Sequence, residues 1–265
     1  MGTNNPELGD PRRVVGVALG CAPEDIAPNV IITPFMPLRA FRRHFDADSI
    51  KELSPPFFFD GLTGVRGGKR ITVIRTGIGP SRVGDCISIL SMTPAKNLLF
   101  IGAVGSLSDG HQIGDIFLPS EVADGEGYTR YLRSSFSELV ASAARVSCNG
   151  GLEGRLEKFL EVEGLNVKRG PVFTIGSITF ESNENLETIK DSGFDAIEME
   201  LSAFFSAAAH HDLGFAALTY ISDLPLRSSL WDEKSDNETK RLKETYRSIP
   251  ILSMDFFSSS DIGEV

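Results

Sequence analysis

Short apolar, β-branched runs bounded by Gly, Pro or Asp return along the whole chain, with helical patterns in the intervals; no other feature restricts its fold as strongly. Residues 14–20, 29–33, 70–77, 97–105, 115–123, 170–176 and 215–222 read as strands. The spacing predicts helices over 37–45, 81–91, 134–146, 152–163, 185–192, 199–213 and from 233 to about 257. The strand runs are apolar without alternation, as strands covered on both faces must be. This predicts an α/β fold: a single three-layer domain with a mostly parallel central sheet and helices on both faces. No internal repeat and no linker rich in Pro, Gly or Ser interrupts the pattern. One domain over 11–258 is therefore expected, with flexible ends at 1–10 and 259–265.

Composition narrows the partners. At 265 residues the chain is long enough for one large α/β domain or two small ones. A net charge of −10 disfavours nucleic-acid backbones and anionic membranes, though a few arginines in a pocket can still hold a small anion. No run approaches the roughly 20 apolar residues of a membrane helix. The polar, Pro-containing start is expected to be neither signal nor transit peptide, and Pro6 stands where a myristoylation signal needs Ser or Thr. Cys21, Cys86 and Cys148 are far apart, odd in number and without CxxC spacing, which suits reduced thiols and a cytoplasmic location. The adjacent His210 and His211 point in different directions, so no metal site is expected.

Four positions could carry chemistry, each with a plain structural alternative. In Thr76-Gly77-Ile78-Gly79-Pro80-Ser81 a strand runs into glycines and then into Pro-Ser opening a helix, which aims backbone N–H groups at an anion; tight packing is the alternative. The glycines of Gly102-Ala103-Val104-Gly105 let a ligand approach a buried strand end, or make only a turn. In Glu198-Met199-Glu200, before the apolar LSAFFSAAA helix, a carboxylate needs donors, and sugar hydroxyls would serve. A helix N-terminal Glu held by the macrodipole is the alternative there, and fits Glu198 better than Glu200. Asp223 ends a hydrophobic strand, where parallel α/β sheets bind ligands and where a raised pKa would suit a proton donor. A lone Asp in that place is more often a turn residue.

Together and in this order, Pro34-Phe35-Met36-Pro37-Leu38-Arg39, Gly77-Ile78-Gly79-Pro80-Ser81, Gly102-Ala103-Val104-Gly105 with Gly114-Asp115, Glu198-Met199-Glu200 and Ser222-Asp223 resemble the nucleoside phosphorylase and nucleosidase superfamily. The resemblance spans about 30–256. It implies cleavage of the N-glycosidic bond of a purine-type nucleoside through an oxocarbenium-like transition state. Asp223 would protonate or hydrogen-bond the departing base, Glu200 accept from the ribose hydroxyls, and Met199 pack under the sugar. Phe180 would stack on the base, with Thr179, Ala103 and Val104 beside it. The nucleophile site would be lined by Arg39, Gly79, Phe100 and Phe35.

That last region departs from the family pattern. Arg39 matches one phosphate-binding Arg, but Phe35 stands for a Gly, Phe100 for a second Arg, Ala103 for a hydroxyl residue, and a position near Phe57 for an Arg from a neighbouring subunit. Losing two guanidiniums removes charge-assisted hydrogen bonds worth roughly 1.5–3 kcal/mol each. The Glu with which hydrolytic relatives activate water also falls on Arg39. Phosphorolysis over an anion site rebuilt around Arg39, with Arg75, Arg82 or Arg130 as substitutes, is the first expectation. The alternatives are hydrolysis and a non-catalytic nucleoside-binding protein. No cofactor is expected beyond phosphate as co-substrate. The resemblance also implies a homodimer, or a hexamer built as a trimer of dimers, and Pro55-Pro56-Phe57-Phe58-Phe59 suits either that interface or the chain's own core.

Overall fold

The computed structural model describes residues 9–53 and 58–259. Its strands are β1 (Asn29–Thr33), β2 (Lys51–Leu53), β3 (Asp60–Arg66), β4 (Lys69–Arg75), β5 (Asn97–Ser106), β6 (Ile116–Gly125), β7 (Ala144–Ser147), β8 (Val167–Ile175), β9 (Ala196–Glu198) and β10 (Gly214–Asp223). Its helices are α1 (Pro11–Leu19), α2 (Arg39–Arg42), α3 (Pro80–Leu90), α4 (Tyr128–Tyr131), α5 (Phe136–Ser142), α6 (Glu153–Val162), α7 (Asn183–Asp191), α8 (Leu201–His210) and α9 (Asp236–Ser258).

All strands belong to one mixed sheet. The longest ladders, β5–β10 and β6–β8, are parallel, as are β1–β4, β1–β5 and β8–β9. Antiparallel pairing enters through β2–β3, β3–β4, β5–β9, β6–β7 and β6–β10. Because β5 pairs with both β9 and β10, the strands β5, β9, β8, β6 and β10 close on themselves. The strands β1, β4, β3 and β2 extend from β5 as an open wing. One apolar cluster joins the sheet to α1, α3 and α8 (Val15, Val83, Phe204) and a second joins it to α2, α6 and α9 (Phe41, Leu156, Phe257). A third, around Phe173 and Ile189, sits under α5 and α7. The α/β architecture with helices on both faces is thus observed, over a sheet more mixed than its sequence suggests.

Local readings differ in instructive places. Residues 14–20, expected as a strand, form most of α1: Asp10 accepts from the Arg12 N–H at 2.9 Å, Pro11 opens the helix, and Gly20 ends it at φ 67°. Val15, Ala18 and Leu19 are buried at helical spacing, so the period of burial overrides the β-branched composition. The predicted 37–45 helix shrinks to Arg39–Arg42. The predicted 134–146 helix stops at Ser142, and Ala144–Ser147 turns back as β7 on the edge of β6. The short strands β2, β3 and β9 are additions. Asp10, expected in a flexible end, is the α1 cap, whereas residues 1–8 and 260–265 lie outside the described residues. So do Pro55, Pro56 and Phe57; of the two aromatics that follow, Phe59 is buried and Phe58 is 48% exposed.

Candidate active site

The candidate carboxylates stand at or just after the carboxyl ends of β8, β9 and β10, and the β4–α3 turn comes up against them. The β4–α3 turn passes through Gly77 at φ 82° and Gly79 at φ 117°, backbone that side chains with a Cβ rarely adopt. The turn thereby presents the Gly79 N–H, which donates to Glu200 Oε1 at 2.8 Å. Glu200 is the residue preceding α8 and is 5% exposed. Its second carboxylate oxygen has no hydrogen-bond partner among the described residues. Burial raises its carboxyl above the usual Glu range, and the Gly79 bond opposes the shift.

Glu198, two residues earlier, faces the protein interior. Its Oε2 accepts from the N–H groups of Glu200 (2.5 Å) and Leu201 (2.6 Å), and its Oε1 from Thr174 Oγ1 (2.5 Å). It therefore satisfies the free donors at the start of α8, the structural role its position suggested. Burial and the neighbouring Glu200 still push its carboxyl upward against those donors. Thr174 in turn accepts from the Ser202 N–H at 3.0 Å, and Ser202 Oγ donates to Glu126 Oε1 at 2.9 Å. Thus β8, β6 and the first turn of α8 are locked together beneath Glu200.

Asp223 closes β10, opposite Gly105 of β5, at a register irregularity that leaves Ser222 out of step. It is 6% exposed, and Ser222 Oγ donates to its Oδ1 at 2.6 Å while also reaching Val104 O at 3.3 Å. Burial raises the Asp223 carboxyl; the Ser222 bond and the positive charge of Lys234 pull it back. Glu181, in the turn after β8, lies close enough for Asp223 to act on it, and burial with that negative charge lifts its carboxyl to about 7. Phe180, beside it, is half-buried against Tyr131 (ring centroids 4.7 Å apart) and Tyr128 (5.6 Å). Met199 packs on the same cluster, whereas Thr179 is exposed and pairs through its hydroxyl with Ser177 at 2.8 Å.

The expected nucleophile residues do not converge in the same way. Phe100 is 1% exposed and packs on Phe204 at 5.3 Å, inside the core that also takes Val104. Ala103 points to the opposite face, toward α9. Phe35 instead borders a cavity of about 470 Å³ with Phe58, Ile78, Arg75 and Arg82. Arg75 there is ion-paired with Asp60, and Arg82 donates to the carbonyls of Thr76 and Phe58 with its guanidinium over the Phe59 ring. Arg130 donates to Glu126 O at 3.0 Å. The three substitute arginines thus all have protein partners, whereas Arg39 is exposed and forms no hydrogen bond or ion pair among the described residues. Among those residues no His, Cys, Asp and Glu side chains group as metal ligands, and no helix is long and apolar enough to cross a membrane.

Glu181, Glu126 and Thr174 went unread in the sequence. Glu126 follows β6, and Thr174 and Glu181 lie on β8 and in the turn after it; only the closure of β5, β9, β8, β6 and β10 brings Thr174 to Glu198, Glu126 to Ser202 and Glu181 beside Asp223.

Comparison with known proteins identifies the family of the chain. The model of the phosphorylase superfamily matches residues 29–249. A DeoD-type purine nucleoside phosphorylase of Exiguobacterium sp. is 28% identical over 214 residues, covering 79% of this chain and 86% of that protein. The crystal structure of uridine phosphorylase from Vibrio fischeri superposes with a TM-score of 0.71 at 20% identity, over 87% of this chain and 91% of that one. The 5'-methylthioadenosine/S-adenosylhomocysteine nucleosidase of Neisseria meningitidis superposes with a TM-score of 0.65 at 20% identity, over 87% and 97%. These two structures share the fold of this chain, one named a phosphorylase and the other a nucleosidase.

Proposed function

Since the chain belongs to the phosphorylase superfamily, we propose that it cleaves the N-glycosidic bond of a purine-type nucleoside, with Asp223 as the acid that meets the departing base. The observation that carries this reading is Asp223 itself: a buried carboxyl at a strand end, raised by burial and oriented by Ser222 at 2.6 Å. Such a group holds a proton nearer neutrality than a free Asp and can share it with a ring nitrogen as the bond breaks. Glu200, anchored at Oε1 by Gly79, keeps an oxygen to accept from the ribose diol. Met199 lies between it and β9, and Phe180 offers the aromatic face for the base.

Phosphate is the nucleophile on the first reading, held by the unpaired Arg39. The engagement of Arg75, Arg82 and Arg130 by protein groups favours a second reading, in which water attacks. The test is release of free base from inosine, adenosine and methylthioadenosine, with and without phosphate. Release only with phosphate supports phosphorolysis, and equal release without it supports hydrolysis. Absence of release from a broad nucleoside panel, with binding intact, would reduce the chain to a binding protein.

The same reading includes self-association. Phe35, Phe58 and Ile78, exposed by 37%, 48% and 59%, surround the mouth of the 470 Å³ cavity. A second copy of the chain would cover them and complete that wall.

A further inference from the structure

A second cavity, of about 260 Å³, lies between β10 and α9 and is lined by Tyr220, Ser222, Leu242, Lys243, Tyr246 and Arg247. Its walls are apolar and aromatic: the Tyr220 and Tyr246 rings meet edge to face at 6.3 Å, with Leu242 beside them. Tyr220 is 97% buried (3% exposed), yet its hydroxyl has no hydrogen-bond partner among the described residues and its side chain lines the cavity. The hydroxyl opens into the cavity, where it is available to donate a hydrogen bond to a ligand.

The rim adds charge. Lys243 and Arg247 stand at i and i+4 on α9, where like charges disfavour the helix. Neither is ion-paired among the described residues, although the chain carries a net charge of −10. By contrast, Arg241, two residues before Lys243, is held by Asp115 at 2.6 Å and by Ile113 O at 2.9 Å. The positive charge of Arg39 also reaches Tyr246. The floor meets the candidate active site at Ser222, which lines this cavity and hydrogen-bonds Asp223.

We infer that the β10–α9 cavity binds a small organic anion, its flat apolar body between Tyr220, Tyr246 and Leu242 and its anionic head between Lys243 and Arg247. The Tyr220 hydroxyl supplies a hydrogen bond at the floor. A bound anion would sit one hydrogen bond away from Asp223, so its occupancy would be felt at the proton donor through Ser222. The assignment stands whether or not the chain turns over a nucleoside.

The test uses phenyl phosphate and inorganic phosphate as probes, followed by calorimetry and by tyrosine-detected NMR on the full chain. Phenyl phosphate is expected to bind, with inorganic phosphate at least tenfold weaker. The double substitution Lys243→Gln/Arg247→Gln, at two exposed positions, should weaken phenyl phosphate at least tenfold, and Tyr220→Phe about threefold. Phe180→Ala, on the base side of the other site, should leave its affinity within twofold. No binding, equal binding of inorganic phosphate, indifference to the double substitution, or a parallel loss in Phe180→Ala would each overturn the assignment.

Discussion

Two carboxyls show how position decides chemistry at the scale of a residue. Asp223 is buried with one short hydrogen bond from Ser222, so its proton affinity is raised while its orientation is held. On the proposed mechanism, Asp223→Asn keeps the shape and loses the proton: kcat should fall by roughly 10²–10⁴ while nucleoside affinity changes little. Equal losses in kcat and in binding would remove its role as acid. Glu181 makes a prediction on stability. Its carboxyl titrates near 7 in the folded chain and near 4.5 when unfolded. Between those values the folded state keeps a proton the unfolded state has released, so this group's contribution to stability falls as pH rises through that window. His44, His111 and His211, whose pKa values burial lowers, act in the opposite sense. The decisive measurement is therefore the difference between wild type and Glu181→Gln. The variant should lose less melting temperature than wild type from pH 5 to pH 8, and identical slopes would show that Glu181 is ionised throughout.

At the scale of elements, α9 is held onto the sheet through the Gly114-Asp115 turn. Arg241 pairs with Asp115, Thr245 Oγ1 donates to Gly114 O at 2.6 Å, and the Gly114 N–H donates to Ile221 O at 2.8 Å. Gly114 has φ 88°, and a Cβ there would stand 3.0 Å from the Arg241 backbone. Gly114→Ala should therefore cost about 1–3 kcal/mol through backbone strain, plus displacement of α9. Thermal denaturation should show a drop of several degrees, and amide exchange in α9 should quicken first. This motif, one of those that carried the family resemblance, thus has a structural task beside whatever it does for a ligand. The β4–α3 turn is different: Gly79 at φ 117° delivers its N–H to Glu200, so a local backbone requirement and a site contact coincide.

At the scale of the molecule, the ring of β5, β9, β8, β6 and β10 is closed by a seam of only two register pairs between β6 and β10. Thr219 reinforces it, its Oγ1 donating to Phe117 O at 2.6 Å in the buried core. Thr219→Val keeps the volume and leaves that bond unmade; it should cost about 1–3 kcal/mol, and exchange at the seam should rise above that of β1 and β4. The proposed self-association belongs to this scale too. Ile78→Glu, on the exposed rim of the 470 Å³ cavity, should shift the sedimentation coefficient toward that of the monomer. Wild type sedimenting as a monomer would end that proposal.

Much of this was legible from the chain alone. The unbroken apolar runs at 97–105 and 215–222 could only be strands covered on both faces, and they are β5 and β10. Glycine spacing marked the β4–α3 turn, and an acidic residue before an apolar helix marked Glu198 and Glu200, because backbone conformation and the donors of a helix start are local needs. Residues 14–20 misled because β-branched composition is a weaker signal than which face becomes buried, and burial is settled by α3 and the sheet. Long-range closure lay beyond local reading. Whether Phe100 faces a ligand or the Phe204 ring, whether Arg75 and Arg82 remain free, and that Glu181 comes beside Asp223 all depend on segments far apart in sequence. The sequence by itself determined the strand ends and the acids that stand there. Only the tertiary structure decided which cations and rings are left unpaired around them, because pairing among distant side chains is a property of the packed whole.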